Sequence, residues 1–204
     1  GGGGEGRGAG ERAGAAVGAK GGKCARGWAK EVRRYLGELG FKQAAFEVNL
    51  QAREEPAAAG LESVEFGFGP NPGEPLKPLR QIASGGEISR VMLSIKSALA
   101  KQDRTPLMVF DEIDANVGGE IARAVGEKMA ALGAKHQVVA ITHFPQGAAM
   151  ASQHFLVRKK VTKGRTISSL QEVAGEERVR ELMRMLGGES KEAKSMAKSL
   201  LNQG

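Results

Sequence analysis

The apolar residues of this chain switch between two spacings, and the switches outline its elements. Trp28, Val32, Leu36 and Leu39 recur at helical spacing, which predicts an amphipathic helix from Cys24 to Leu39 with Gly40 as its stop. Ala45 to Leu50 and Val64 to Phe68 alternate with period two, as half-buried strands do. A Pro/Ala/Gly loop from Pro56 to Gly60 lies between them, so the two runs predict an antiparallel pair. Pro70, Pro72, Pro75 and Pro78 then predict an extended, irregular passage, because each proline pushes the residue before it out of the helical region.

Helical spacing returns at Ile88, Val91, Met92, Ile95 and Leu99. A short apolar strand follows over 107–110. Ile121, Ala124, Val125, Met129 and Leu132 mark a second amphipathic helix, and Val138 to Ile141 a second buried strand. Strand, helix, strand in this order is a βαβ unit, hence a parallel sheet and an α/β fold. After a short helix near Gln146 to Ala151, Phe155–Val161 and Thr166–Val173 predict a hairpin turning at Lys163-Gly164. Two helices close the chain. One carries Val179, Leu182, Met183 and Leu186 and stops at Gly187-Gly188; the other carries Ala193, Met196, Ala197 and Leu200. The fold expected is a parallel βαβ core with antiparallel strands and flanking helices.

Composition changes this picture in three places. Residues 1–22 hold eleven glycines and too little apolar surface to offset their ordering entropy, so they read as a flexible Gly-rich arm. A net charge of +7 suits a polyanion such as nucleic acid, or only a basic surface. The single cysteine, Cys24, excludes an intrachain disulfide framework and fits a reducing compartment. No apolar run approaches the roughly 20 residues that span a bilayer, and no signal-peptide core opens the chain, so the expectation is a cytoplasmic protein without a membrane partner.

Three short stretches could carry chemistry. Ser84-Gly85-Gly86-Glu87 reads as a capping box, with Ser84 as N-cap and Glu87 answering from the third position. That reading leaves two glycines unexplained, each costing about 1 kcal/mol relative to alanine in a helix. Bare glycines at a helix N-terminus let an anion such as phosphate reach the backbone amides. Asp111 and Glu112 end the first strand of the βαβ unit, where open parallel sheets bind ligands. Asp111 suits a magnesium ion held through water, and Glu112 suits a base for an attacking water. The plain alternative is two exposed carboxylates. His143 ends the neighbouring strand, which puts it about 5 to 10 Å from Glu112 by strand spacing and within reach of a γ-phosphate. His136 and His154 lack such company. In Asp114-Ala115-Asn116-Val117-Gly118-Gly119, Asp114 or Asn116 could cap the next helix. Arg158, Lys159, Lys160, Lys163 and Arg165 crowd the predicted hairpin, either as a solvated face or as a contact for a phosphate backbone.

Taken jointly, these residues resemble the C-terminal lobe of an ABC-type ATPase head. Ile82 to Glu87 looks like the signature motif, Leu107 to Glu112 like Walker B with its glutamate, Asp114 to Gly118 like the D-loop, and Ile141-Thr142-His143 like the switch histidine. Within that superfamily the chain is most similar to the RecN family of bacterial SMC-like repair proteins. Gln81 to Arg90, Phe110 to Asp114, Thr142 to Gln146 and Glu177-Arg178 to Gly188 carry that similarity. It is close over 76–190, looser over 24–75 and absent over 1–22. Asn116 and Gly118 stand where that family usually has Gly and Ser, which bears only on D-loop detail.

The resemblance implies ATP binding and hydrolysis, with magnesium as cofactor, driving head dimerisation in DNA double-strand break repair and recombination. It implies that Glu112 and His143 are catalytic, that Asp111 holds the metal, and that Ser84, Gly85, Gly86, Glu87 and Asp114 contact nucleotide. Residues 23–40 would end a coiled-coil helix, and 41–204 would form the C-terminal lobe. The phosphate-gripping Walker A loop would belong to an N-terminal lobe, since no Gly-x-x-x-x-Gly-Lys-Ser/Thr run occurs in these 204 residues. Partners would be that lobe, a second head across sandwiched ATP, and DNA. The alternatives are the head of another ABC-type ATPase (RecF, a chromosome-organising SMC or a transporter) and a non-catalytic DNA-binding or assembly module.

Overall fold

The apolar stripe from Trp28 to Leu39 is a helix, α1 (residues 22–38), in the computed structural model, which describes residues 22–57, 60–162 and 164–202. The Gly-rich arm therefore lies outside the described residues except for Gly22, which is helical. Part of the Pro56–Gly60 loop and Lys163 of the hairpin turn also lie outside them. Two compact units form, one through Lys101 and one from Gln102.

In the first unit α1 ends as its sequence predicts. Gly40 adopts φ 98°, and the Phe41 amide donates back to the Leu36 carbonyl at 2.9 Å. This closes the helix with a left-handed residue that a Cβ would strain. Strand β1 (Ala45–Ala57) pairs antiparallel with β2 (Gly60–Gly69), in a register that sets Phe46 opposite Phe68 and Val48 opposite Phe66. Alternation puts these rings on one face, where Phe46 and Phe68 join Ala29, Val32 and Leu36 of α1 in the core. Arg33 ties helix to strand, donating from Nη1 to the Phe46 carbonyl at 2.7 Å.

The proline-rich passage is more ordered than its composition predicts. Lys77–Pro78 forms a two-residue strand, β3, on the outer edge of β2, followed by a 3-10 turn over Leu79–Gln81. An edge position accepts a proline because no ladder bond from its missing N–H is needed. Helix α2 (Gly85–Leu99) then buries Val91 and Ile95 in the same core.

The second unit contains the predicted βαβ crossover. Strands β4 (Leu107–Phe110) and β5 (Gln137–Ala140) are parallel neighbours, paired from Leu107↔Gln137 to Phe110↔Ala140. Helix α3 (Gly119–Gly133) connects them, burying Ala122, Val125, Met129 and Leu132. Helix α4 (Pro145–Ala149) packs close to α3. A Cβ on Gly126 would stand 3.1 Å from the Gly147 Cα, so the two helices cross closely here and a side chain would push them apart by a few tenths of an ångström.

Strands β6 (His154–Thr162) and β7 (Arg165–Val173) form the predicted hairpin. Helices α5 (Gly175–Met185) and α6 (Lys191–Leu201) cover α4 in a cluster of Ala148, Ala149, Val179, Leu182, Ala197 and Leu200. Met196, read as part of the α6 stripe, is exposed, because the seam runs through Ala193, Ala197 and Leu200, one position aside. Among the described residues no helix is long and apolar enough to cross a membrane.

Two outcomes follow from this packing. Phe68→Ala removes a buried ring from the first core and should cost about 3 to 5 kcal/mol in urea denaturation. The second concerns His154. Burial pushes its imidazole below the ordinary value of 6.5, and nearby Arg178 acts in the same direction against Glu181. A histidine that folding keeps neutral stabilises the fold above its unfolded value. That contribution is lost as pH falls through the window below 6.5. Acidification through that window should lower the denaturation midpoint more in the wild-type chain than in His154→Gln.

Candidate functional site

The ends of β4 and β5 bring the predicted carboxylates and histidine to one edge. The Ile141 amide donates to the Phe110 carbonyl at 2.9 Å, continuing the ladder one step past the strands. Asp111 and Glu112 therefore follow β4 level with Ile141 and Thr142 of the β5 chain, and His143 comes next. Asp111 and Glu112 are exposed, whereas Ile113 and Asp114 are buried. The turn thus shows two carboxylates to solvent and anchors itself with the next two side chains. Glu112 holds φ 53° and Asn116 φ 59°. Left-handed backbone at a non-glycine residue costs on the order of 1 kcal/mol and persists only where surrounding structure enforces it.

Asp114 supplies that enforcement. It is 2% exposed, and its Oδ2 accepts from the Thr142 hydroxyl, from the His143 amide at 3.2 Å and from the Phe144 amide at 3.3 Å. Its Oδ1 lies 3.1 Å from Nδ1 of His143, whose side chain stays 66% exposed. The Thr142 hydroxyl oxygen also accepts from the Phe144 amide at 3.1 Å. One carboxylate therefore fixes the path of the β5 turn, and its second oxygen sits beside the exposed ring of His143. A proton on Nδ1 faces Asp114 and leaves Nε2 to accept a hydrogen bond, or to donate one when the ring is charged.

The helix-cap reading of this turn is corrected. Neither Asp114 nor Asn116 caps α3; its N-cap is Gly118, with no side-chain bond. The helix begins too late for Asp114, whose carboxylate is engaged across the sheet instead.

In the first unit, Ser84 is the N-cap of α2, its Oγ accepting from the Glu87 amide at 3.3 Å. Glu87 lies in the first turn, where a carboxylate is favoured by the helix dipole. Gly85 is exposed and Gly86 buried. Neither belongs to the residues with positive φ, so the backbone conformation does not demand glycine, and what the pair contributes is the absence of side chains at the helix start.

Two positioning residues escaped the sequence reading. Thr142 could be suspected only as a polar residue at the end of a buried strand. Arg178 was named only within the family-like stretch that starts at Glu177, and nothing in the sequence gave it a role. Its Nη2 donates to the carbonyls of Ala148, Ala149 and Ala151, at 3.1, 3.1 and 2.6 Å, and so closes the C-terminus of α4.

No family model matches the chain. It is 47% identical over 156 residues to the DNA repair protein RecN of Deinococcus radiodurans, across 76% of this chain and 27% of that protein. It is 42% identical over 191 residues to the DNA repair protein RecN of Treponema pallidum, across 91% of this chain and 33% of that protein. The chain thus spans about a third of the length of these curated relatives. Among solved structures it is similar to the Smc head domain with a coiled coil and joint from Pyrococcus yayanosii. The TM-score is 0.53 at 19% identity, covering 84% of this chain and 28% of that one. That likeness shows the fold, an α/β lobe like that of the Smc head domain.

Asp114→Ala would remove the acceptor shared by the Thr142 hydroxyl and the part-buried His143 and Phe144 amides, at a cost of about 1 to 3 kcal/mol. Amide hydrogen exchange at His143 and Phe144 should accelerate in that variant and stay unchanged in Glu112→Gln.

Proposed function

Because this chain belongs to the RecN family of DNA repair proteins, we propose that it is the C-terminal lobe of an SMC-like ATPase head. In that reading ATP-dependent dimerisation of two heads serves DNA double-strand break repair and recombination. The observation that carries the reading is the parallel pair β4–β5. Parallel sheets are normally covered on both faces, and a two-stranded sheet is marginal by itself. Here one face carries Leu107, Val109, Val139 and Ile141, exposed at 50, 61, 44 and 59%. An N-terminal lobe bearing the Walker A loop would cover that face and widen the sheet. The chain's share of its relatives' length agrees with this. Residues 23–40 would then end a coiled-coil helix leading into a lobe over 41–204.

The roles follow from position. Glu112, exposed at the strand tip, would take the proton of the water attacking ATP. His143, its ring beside Asp114, would donate or accept at the γ-phosphate. Ser84, Gly85, Gly86 and the first turn of α2 with Glu87 would meet the nucleotide held by an opposing head. Asp114 would act in the D-loop as the residue that keeps the switch turn in place. Asp111, with solvent around it, would hold magnesium. Among the described residues no cluster of three or more His, Cys, Asp or Glu could hold a metal. That suits magnesium, which binds through one or two carboxylates, waters and substrate phosphates. Bound magnesium supplies neutralisation of phosphate charge.

The test uses the full-length protein. Glu112→Gln should lower ATP hydrolysis by about 100-fold or more, the usual range for a lost general base, and should accumulate ATP-bound dimers. Unchanged turnover would remove Glu112 from the mechanism. This chain alone should show no hydrolysis; robust turnover would mean that a phosphate loop has been overlooked.

A further inference from the structure

The β6–β7 hairpin is not absorbed by the ATPase reading, and three of its cations share one face. Its register pairs Arg158 with Ser169, Lys160 with Ile167 and Thr162 with Arg165. Alternation therefore puts Arg158, Lys160 and Arg165 on one face, beside Leu156 and Ile167, and Lys159 on the other with Phe155, Val157, Val161 and Leu170. All three cations are exposed, and no carboxylate shares their face. Within 154–173 the only acidic residue is Glu172, which pairs with Phe155 on the opposite face. Among the described residues none of the three cations enters an ion pair.

We propose that this face of the hairpin, through Arg158, Lys160 and Arg165, docks on the phosphate backbone of duplex DNA. The inference rests on the proposed function only in taking DNA as the partner. Along the strand Arg158 and Lys160 stand about 7 Å apart, and Arg165 lies diagonally about 7 to 8 Å from Lys160. Each neighbouring pair lies within one Debye length, about 8 Å at physiological salt, so Lys160 is repelled from both sides. A polyanion relieves that repulsion and releases its own counterions on binding. Thr162 and Ser169, on the same face, add the hydroxyl donors that commonly accompany cations on phosphates. Two paired nine-residue strands make a ribbon about 30 Å long, enough to follow a duplex for most of a turn. Solvated lysines need no such arrangement.

The test measures binding of this chain to a fluorescent duplex of about 30 base pairs over a series of salt concentrations. Three phosphate contacts predict that Arg158→Ala/Lys160→Ala/Arg165→Ala lowers affinity at least tenfold and reduces the salt slope by about 2.7. A control with the same charge change, Lys101→Ala/Arg104→Ala/Lys135→Ala, removes exposed cations elsewhere and should bind almost as the wild type does. Circular dichroism confirms that both variants fold, and Arg158→Lys/Arg165→Lys should retain binding if charge is what matters. Equal losses in the two triple variants, or none in the hairpin variant, would overturn the proposal. Competition by polyglutamate as effective as that by unlabelled duplex would overturn it in favour of an acidic protein partner. In the full-length protein the hairpin variant should hydrolyse ATP normally in the absence of DNA, which separates failure of this inference from failure of the ATPase reading.

Discussion

The buried carboxylate of Asp114 is the interaction on which the rest of the strand-end site depends. A charge this deeply buried is tolerated only with several donors around it. Here they come from the turn that follows the neighbouring strand. Satisfying Asp114 therefore forces the two turns together. The same bonds leave Asp111 and Glu112 on the outer side and bring Nδ1 of the His143 ring to 3.1 Å from Oδ1. The left-handed Glu112 is a consequence: the chain must reverse within one residue to expose one carboxylate pair member and bury the next apolar side chain, Ile113.

Much of this was legible in the sequence, for physical reasons that differ by element. Helices α1, α2 and α3 announced themselves because each buries one stripe at its own period. Strands β1 and β2 did so because Phe46 and Phe68 alternate with polar neighbours. The carboxylates at the tip of β4 could be placed because a short apolar run ending in charge has few other readings. Less was legible where partners are distant in sequence. Asp114 looked like a helix cap from its neighbours alone, and its actual partner Thr142 lies 28 residues away. The pairing of β3 was hidden because Pro78 argues against a strand, and only its place at a sheet edge makes the proline acceptable. The role of Arg178 depends on carbonyls 27 to 30 residues earlier.

The exposed apolar face of β4–β5 gives the site its larger meaning. A parallel pair of four-residue strands has little reason to stand with Val109 and Ile141 in water. Its geometry makes sense as the margin of a wider sheet. Under that reading the strand tips offer a metal ligand, a base and a phosphate contact but no grip on the nucleotide itself, and the α2 N-terminus offers anion-binding amides to a second molecule. Under the same proposal, the division of parts would couple chemistry to assembly, with hydrolysis waiting for the partners that complete the site.

The most direct measurement of that claim is amide hydrogen exchange over residues 107–110 and 137–141, in this chain alone and within the full-length protein. An incomplete sheet predicts fast exchange in the isolated chain and strong protection in the full-length protein. Equal protection in both would contradict the account, because the pair would then be complete without another lobe.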